Sequence, residues 1–467
     1  MTDLAAYRPR LDALLAELAG SHRVPGAACG VLTGDGELVA THGVANVATG
    51  VPVTPDTLFQ LGSITKIYTA TLVMQARAAG VVGLDEPVRS QIQQFAVADP
   101  GATIEITPRH LLTHTSGIEG DHLVDTGWNP DAMERYVATV VGLGQIHEVD
   151  EGYSFCNTGF GVAGRLVEEI TGENFDRALR RHLNRPLGCH RTLTLPQHLL
   201  LHRVAAGHTQ LPGEVATRQA RWTLTRANGP MGGVVATPGD LLAFARMHLA
   251  GGRGPDGTEV LPSVDVEAMQ QPQAETPLPG EQQAIGWTVQ AWDGTRCLGQ
   301  DANTFGQRAF LRVVPSRRFA VCLLSNSPTG GLLAGDLLPR IVGDVAELAV
   351  PTHPGAGETP TDPGPGTAPA AAPEPARIAG TYDRLHQRVE VTGGDGAMRL
   401  TTEPSGVLAR LGAVPVTIEL APVDASGGVW TGRNPVTGVG ELVVFTGPPG
   451  EPARSVHLDG RMHRRVG

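Results

Sequence analysis

The sequence predicts an α/β (α+β) protein of two domains, a larger one in which helices alternate with antiparallel hairpins and a small C-terminal all-β barrel or sandwich. Three observations carry this. Apolar residues recur at helical spacing in several stretches of the first 350 residues, strand-like runs bounded by turn residues lie between them, and the composition changes abruptly at 351. At 467 residues the chain is also too long for one small core.

Leu4, Leu11, Leu14, Leu15 and Leu18 share a helical face, so residues 3–21 read as an amphipathic helix opening after Thr2 or Asp3. Residues 26–47 read as a hairpin: 28–32 form one strand, Gly34-Asp35-Gly36 the turn and 38–42 the return. A helix is expected from about 63 to 79, and 107–118 reads as a short helix closed by Gly117. Residues 121–152 are loop and helix, a wall of a cleft that Trp128 and Tyr136 either line or pack behind. Helices follow at 162–170 and 175–187. Residues 229–235 form a turn, and Thr237-Pro238 opens a helix over 239–249. Strands are expected at 285–289, 304–314 and 319–324, the last two forming an antiparallel hairpin around 315–318.

Residues 1–350 therefore form the first domain. From 351 to 376 the chain is Pro, Gly, Ala and Thr with a few acids, too poor in apolar surface to fold, and reads as a linker. Over 377–467 short alternating segments (388–391, 398–401, 441–445) separated by glycine-rich turns predict the small β domain.

Composition bounds function. A net charge of -11 gives no electrostatic reason for nucleic acid or an anionic membrane as partner. The first ten residues have no apolar core, and no run of eighteen apolar residues follows. The 5 cysteines are odd in number and scattered in apolar runs, so they read as reduced core residues, and the expected compartment is the cytoplasm.

The strongest chemical signal is one residue. Of 36 basic residues, 35 are arginine, and the single lysine is Lys66, three positions after Ser63. Arginine keeps its proton at any workable pH, whereas a buried lysine can shift toward neutrality and act as a base. At the start of a helix, residues three apart lie on one face, so the Lys66 nitrogen can reach the Ser63 hydroxyl. That is how a serine nucleophile is activated. His110 and His114, at i and i+4, have the spacing of a metal pair, but the glutamate that a helical zinc motif requires after its first histidine is absent, and no metal or cofactor motif stands out.

Gly62-Ser63-Ile64-Thr65-Lys66, Leu111-Leu112-Thr113-His114-Thr115-Ser116-Gly117, Asn157-Thr158-Gly159 and Met231-Gly232-Gly233 occur in this order over roughly 20–345. With them the chain resembles the serine β-lactamase and penicillin-binding-protein superfamily, in its class C β-lactamase and esterase-like branch. The resemblance implies an antiparallel sheet flanked by helices, a helical lobe, an active site between them and a lipocalin-like C-terminal β domain. It implies that Ser63 is acylated, that Lys66 takes its proton, that Asn157 positions Lys66 and the substrate amide, and that the backbone N–H groups of Ser63 and Asn303 form the oxyanion hole.

Two family features are missing. Phe155 stands where the Tyr-x-Asn motif has its tyrosine; Tyr153, two residues earlier, is the candidate substitute. The third motif, Lys-Thr-Gly or His-x-Gly, appears as Gln300-Asp301-Ala302 ahead of Asn303. Gln300 brings no positive charge, and Ala302 adds a methyl where glycine lets a substrate lie against the strand. Phe155, Gln300, Asp301, Ala302, Asn303 and Trp128 are thus the expected substrate-facing residues. A site of this kind suits an activated ester, thioester or amide donor, opened by an amine or by water. The resemblance includes transacylases and stand-alone thioesterases of natural-product assembly, which implies a small-molecule or peptide acyl donor, an amine acceptor and a carrier protein as partners. The alternatives are a family member that binds without turnover, favoured by the two lost motif residues and opposed by the retained lysine, and a general cytoplasmic esterase or β-lactamase-like hydrolase.

Overall fold

The computed structural model describes residues 3–209, 216–219, 222, 224–351, 375–394, 397–423 and 427–467. Its first domain is built on a nine-stranded antiparallel sheet. In chain order the strands are β1 (Gly26–Thr33), β2 (Gly36–Asn46), β3 (Val51–Pro52), β4 (Ala274–Glu275), β5 (Glu281–Gln283), β6 (Thr288–Trp292), β7 (Thr295–Thr304), β8 (Gln307–Val314) and β9 (Phe319–Ser325). They lie side by side in the order β3-β2-β1-β9-β8-β7-β6-β5-β4.

The sheet is buried on both faces, which is why β1 is apolar throughout rather than alternating. Ala27, Cys29 and Val31 pack under helices α1 (Leu4–Ser21) and α5 (Gly330–Ile341), while Ala28 and Leu32 face the larger core beneath the helical lobe. Helix α1 starts where Asp3 accepts a hydrogen bond from the backbone N–H of Ala5 at 2.9 Å. Its buried stripe of Leu11, Leu15 and Leu18 follows from the helical period. The lobe includes α2 (Thr65–Ala78), α3 (Asn157–Thr171) and α4 (Pro238–Leu249).

The strand expected at 304–314 starts at Gln307, because Gly306, at φ +81°, turns the chain after Thr304, the last residue of β7. The strand expected at 285–289 starts later, at Thr288, since Gly286 at φ +76° interrupts it. Helix α3 begins at Asn157, five residues before its apolar period becomes visible, capped by the Cys156 thiol. The turn expected at 229–235 holds a helical turn, Gly229–Gly232, and a short strand, Val235–Ala236.

The stretch read as a linker, 351–376, lies outside the described residues except for its ends. Beyond it eight strands, β10 (Gly380–Arg384) through β17 (Arg461–Arg465), close into an antiparallel barrel. Tyr382, Val389, Leu400, Ile418, Val443 and Val456 fill its interior. No helix among the described residues is long and apolar enough to cross a membrane.

Candidate active site

Ser63 sits in a tight helical turn, Gly62–Ile64, that feeds directly into α2. The turn is pinned from two sides. The short strand Phe59–Gln60 pairs with Val235–Ala236, the Leu61 N–H donates to Val234 O at 2.8 Å, and the Val234 N–H donates to Thr65 Oγ1 at 3.0 Å. On the other side lies β7. Gly62 has φ +49°, and a Cβ there would stand 2.8 Å from Thr304 Cγ2 and 3.0 Å from Ala302 Cβ, so glycine alone lets the serine approach the strand this closely.

One helical turn on, Lys66 is buried to 1 % exposure while Ser63 remains partly open. Its Nζ has three oxygen neighbours: Ser63 Oγ at 3.2 Å, Asn157 Oδ1 at 2.7 Å and the Met231 carbonyl at 2.7 Å. Asn157 reaches it from the first turn of α3, and Met231 from the helical turn Gly229–Gly232. Close packing brings these two elements together: a Cβ on Gly164 of α3 would stand 2.0 Å from Pro230 Cγ.

The Asn157 amide is oriented by a further contact. Its Nδ2 donates at 2.7 Å to Asp121 Oδ1, so its oxygen must face Lys66. Asp121 is 3 % exposed and carries two arginines on its other oxygen, Arg384 Nη1 at 2.5 Å and Arg461 Nε at 3.1 Å. Burial alone would raise this carboxyl, but the two guanidiniums outweigh it and hold it below the usual carboxylate range. Lys66 is lowered to about 7, first by burial and then by the Arg461 charge, against the opposing pull of Asp121.

These contacts specify what happens when Lys66 loses a proton. As an ammonium it donates to all three neighbours. As an amine it keeps two N–H groups, and two of its neighbours, the locked amide oxygen and a backbone carbonyl, can only accept. The lone pair is therefore left toward Ser63 Oγ, the one neighbour with a proton to give.

Phe155 puts an apolar ring beside Lys66. Its ring centre is 4.6 Å from Lys66 Nζ and 4.6 Å from Arg461 Cζ, and it stacks on His114 with ring centres 4.6 Å apart. Tyr153 does not replace the missing hydroxyl. Its side chain is buried beside His114, and its OH donates to Gln283 Oε1 at 3.4 Å. Shifting a hydroxyl by two residues along an extended segment carries it away from Lys66.

The strand β7 pairs with β6 only as far as Gly299, so Gln300–Thr304 run on past it beside the serine turn. Gln300 and Ala302 face inward at 6 % and 3 % exposure, and the Gln300 amide bonds back to the Asp301 carbonyl at 3.3 Å. Asp301 and Asn303 point to the other face; Asp301, expected to face substrate, is paired there with Arg312. Trp128 is 45 % exposed on a loop whose carbonyl accepts from Arg226 Nη1 at 2.7 Å. His110 caps its own short helix, and His114 Nδ1 accepts the Cys156 N–H at 2.9 Å, holding the strand-like segment before α3.

The residue patterns do not single out Asp121, Arg384 or Arg461, and the motif Met231-Gly232-Gly233 does not show that the Met231 carbonyl holds Lys66. Met231 acts through its carbonyl, which any residue type supplies, and Arg384 and Arg461 lie 263 and 340 positions from Asp121 in sequence.

Residues 11–342 match the family model described as Beta-lactamase. The chain is 39 % identical to penicillin-binding protein 4 of Amycolatopsis lactamdurans over 391 residues, which is 82 % of this chain and 98 % of that one. It is 26 % identical over 334 residues to an unguisins hydrolase of Aspergillus campestris (strain IBT 28561), covering 68 % of this chain and 61 % of that one. Among solved structures, that of SurE with D-Leu superposes with a TM-score of 0.76 at 26 % identity, covering 99 % of this chain and 100 % of the other.

Proposed function

The chain belongs to the β-lactamase family, as a serine hydrolase or acyltransferase of the penicillin-binding-protein type, and from that membership we propose that it transfers acyl groups through an acyl-Ser63 intermediate from an activated ester or thioester donor to an amine. One observation carries this reading. Lys66 Nζ is hydrogen-bonded to Ser63 Oγ and so set to take its proton, and the residue two positions before Asn157 brings to Nζ the Phe155 ring, 4.6 Å away, in place of a hydroxyl.

In the first half of the reaction, Ser63 Oγ attacks the acyl carbonyl as its proton passes to Lys66 Nζ. The tetrahedral oxyanion forms beside the Ser63 and Asn303 backbone N–H groups, and the leaving group departs. A thiolate or activated alkoxide leaves without a dedicated acid, whereas an amide nitrogen needs protonation, worth about 10²–10⁴-fold per step. Lys66, now an ammonium, gives its proton to the departed thiolate or alkoxide and is an amine again. In the second half an amine attacks the acyl-Ser63 carbonyl and passes one proton to the Lys66 amine, the bond between Ser63 Oγ and the acyl carbon breaks, and Oγ takes that proton back from Lys66 as the product amide is released. An amine is the better nucleophile, so a site without a second proton-transfer group favours it over water.

The solved neighbour with D-Leu supports a D-amino acid as one of the two reactants, on the acyl side or as the amine. A small-molecule or peptide donor, delivered free or on a carrier protein, fits this role in natural-product metabolism. A cytoplasmic setting is supported by five cysteines that are all unpaired and buried. Mass spectrometry of the acyl-enzyme, followed by its release with an amine or with water, tests the proposal. Faster release by the amine is expected, and release by water alone would refute it.

A further inference from the structure

The barrel does more than stand beside the first domain, because its last hairpin enters the active site. Strands β16 (Ser455–Leu458) and β17 are joined by Asp459-Gly460, with Gly460 at φ +71°. At this tip the Gly460 carbonyl accepts the Phe155 N–H at 2.9 Å, and the Met462 N–H donates to Ser154 Oγ at 3.2 Å. The hairpin thus holds the segment that leads into Asn157. The same tip lays Arg461 over the Phe155 ring and onto Asp121, while Arg461 Nη1 is braced by Asp459 Oδ2 at 2.6 Å. Arg384, at the end of β10, reaches the same carboxylate, and the adjoining Leu385 N–H donates to Glu119 Oε2 at 3.1 Å.

Each link depends on the one before. A buried carboxylate without its arginines would be costly and would protonate. A protonated or displaced Asp121 would no longer hold the Asn157 amide, whose two ends are alike in shape. A turned amide would present N–H groups to Lys66 and spoil the direction of its lone pair. We propose that Asp121, Arg384 and Arg461 are positioning residues: the C-terminal barrel, through its two arginines, fixes the carboxylate that orients Asn157, and so sets how Lys66 accepts the Ser63 proton. This rests on the acyl-transfer reading of Ser63 and Lys66.

Electrostatics agree with the geometry. The groups facing Lys66 are Ser63, Asn157, the Met231 carbonyl, His114, Cys156, Asp121 and Arg461. His114 is held neutral by burial and by the nearby Lys66 and Arg461, and burial pushes the Cys156 thiol up to about 12. Between pH 5 and 9 the charges acting on Lys66 are therefore Asp121 and Arg461, with Arg384 and Asp459 behind them.

The test is the pH dependence of Ser63 labelling by a fluorophosphonate, in the full chain, with Ser63→Ala as control and circular dichroism as the check on folding. Arg461→Met removes a cation beside Lys66, and its labelling midpoint should move up by about one pH unit. Asp121→Asn removes an anion; its midpoint should move down and its plateau fall about tenfold or more. Arg461→Lys keeps the charge but not the fork, so it should hold the midpoint and lose plateau, and it decides the matter if Arg461→Met does not fold. Folded variants with the wild-type midpoint in both Arg461→Met and Asp121→Asn, or a midpoint in Arg461→Lys displaced as far as that of a neutral residue, would overturn the proposal. A wild-type protein with no Ser63-dependent adduct would instead refute the acyl-transfer reading beneath it.

Discussion

Arg461, from the last strand of the barrel, lies 4.6 Å from the ring centre of Phe155, in the first domain. Lys66 approaches the same ring to 4.6 Å. Where the family has a phenol, this chain has an apolar ring attended by two cations and a buried carboxylate, and the lysine that must become a base is lowered to about 7. On the proposed reading the site has a base that works near neutrality and lacks a second hydroxyl to serve amide chemistry.

Acylation should be pH-dependent through that lysine. Its amine is the active form, so the rate of Ser63 labelling rises with pH through about 7 and then levels off. One unit below the midpoint the rate should be about one-tenth of the plateau. Labelling rates between pH 5 and 9 check this, and a profile falling with rising pH would contradict it.

Lys66→Arg should cut labelling by about 10²–10⁴-fold, because guanidinium does not surrender its proton. Steady labelling kinetics of folded protein measure the loss. A variant labelled at the wild-type rate would show that Lys66 is not the base.

Stability should respond to the same group and also rise with pH. Lys66 binds its proton less well folded, at about 7, than at its ordinary 10.5. Between those values the unfolded chain holds the extra proton, so this residue's contribution to stability rises with pH and its penalty is greatest below 7. Lys66→Met should raise the melting temperature, and by more at pH 6 than at pH 9. Thermal melts at both values test the sign.

Phe155→Tyr, beside Lys66, combined with Gln300→His on β7 should add the missing proton-transfer groups. Release of the acyl group by water should increase by about 10²-fold. The rate of acyl-enzyme decay without amine measures it; no change would show that the ring position is not what limits hydrolysis.

Gly164→Val should weaken both fold and site. The side chain would meet Pro230, where a Cβ already stands 2.0 Å from Cγ, and displace the Met231 carbonyl that holds Lys66. A loss of about 1–3 kcal/mol in denaturant unfolding is expected, together with slower labelling.

Much of this was readable from residue patterns. Lys66 was legible because lysine is otherwise absent, and Asn157 because its motif leads into an apolar helix. The closed barrel followed from short alternating strands, since period 2 survives in a small one-layer core. What escaped were relations between distant segments. The Asp459-Gly460 turn reads as a hairpin tip, but nothing local shows that it rests on Ser154 and Phe155. Asp121 carries no motif, and its role emerges only when Arg384 and Arg461 close on it. Tyr153 was misplaced for the reverse reason: its residue type fitted, but its direction was set by packing against His114.

The central claim is that Ser63 is a working nucleophile whose acyl group passes to an amine. Intact mass of the protein after exposure to a panel of activated acyl donors, with Ser63→Ala alongside, tests it most directly. The account predicts a single acyl adduct on the wild type, absent from Ser63→Ala and discharged faster by an amine than by water. No adduct with any donor, or an equal adduct on Ser63→Ala, would contradict it.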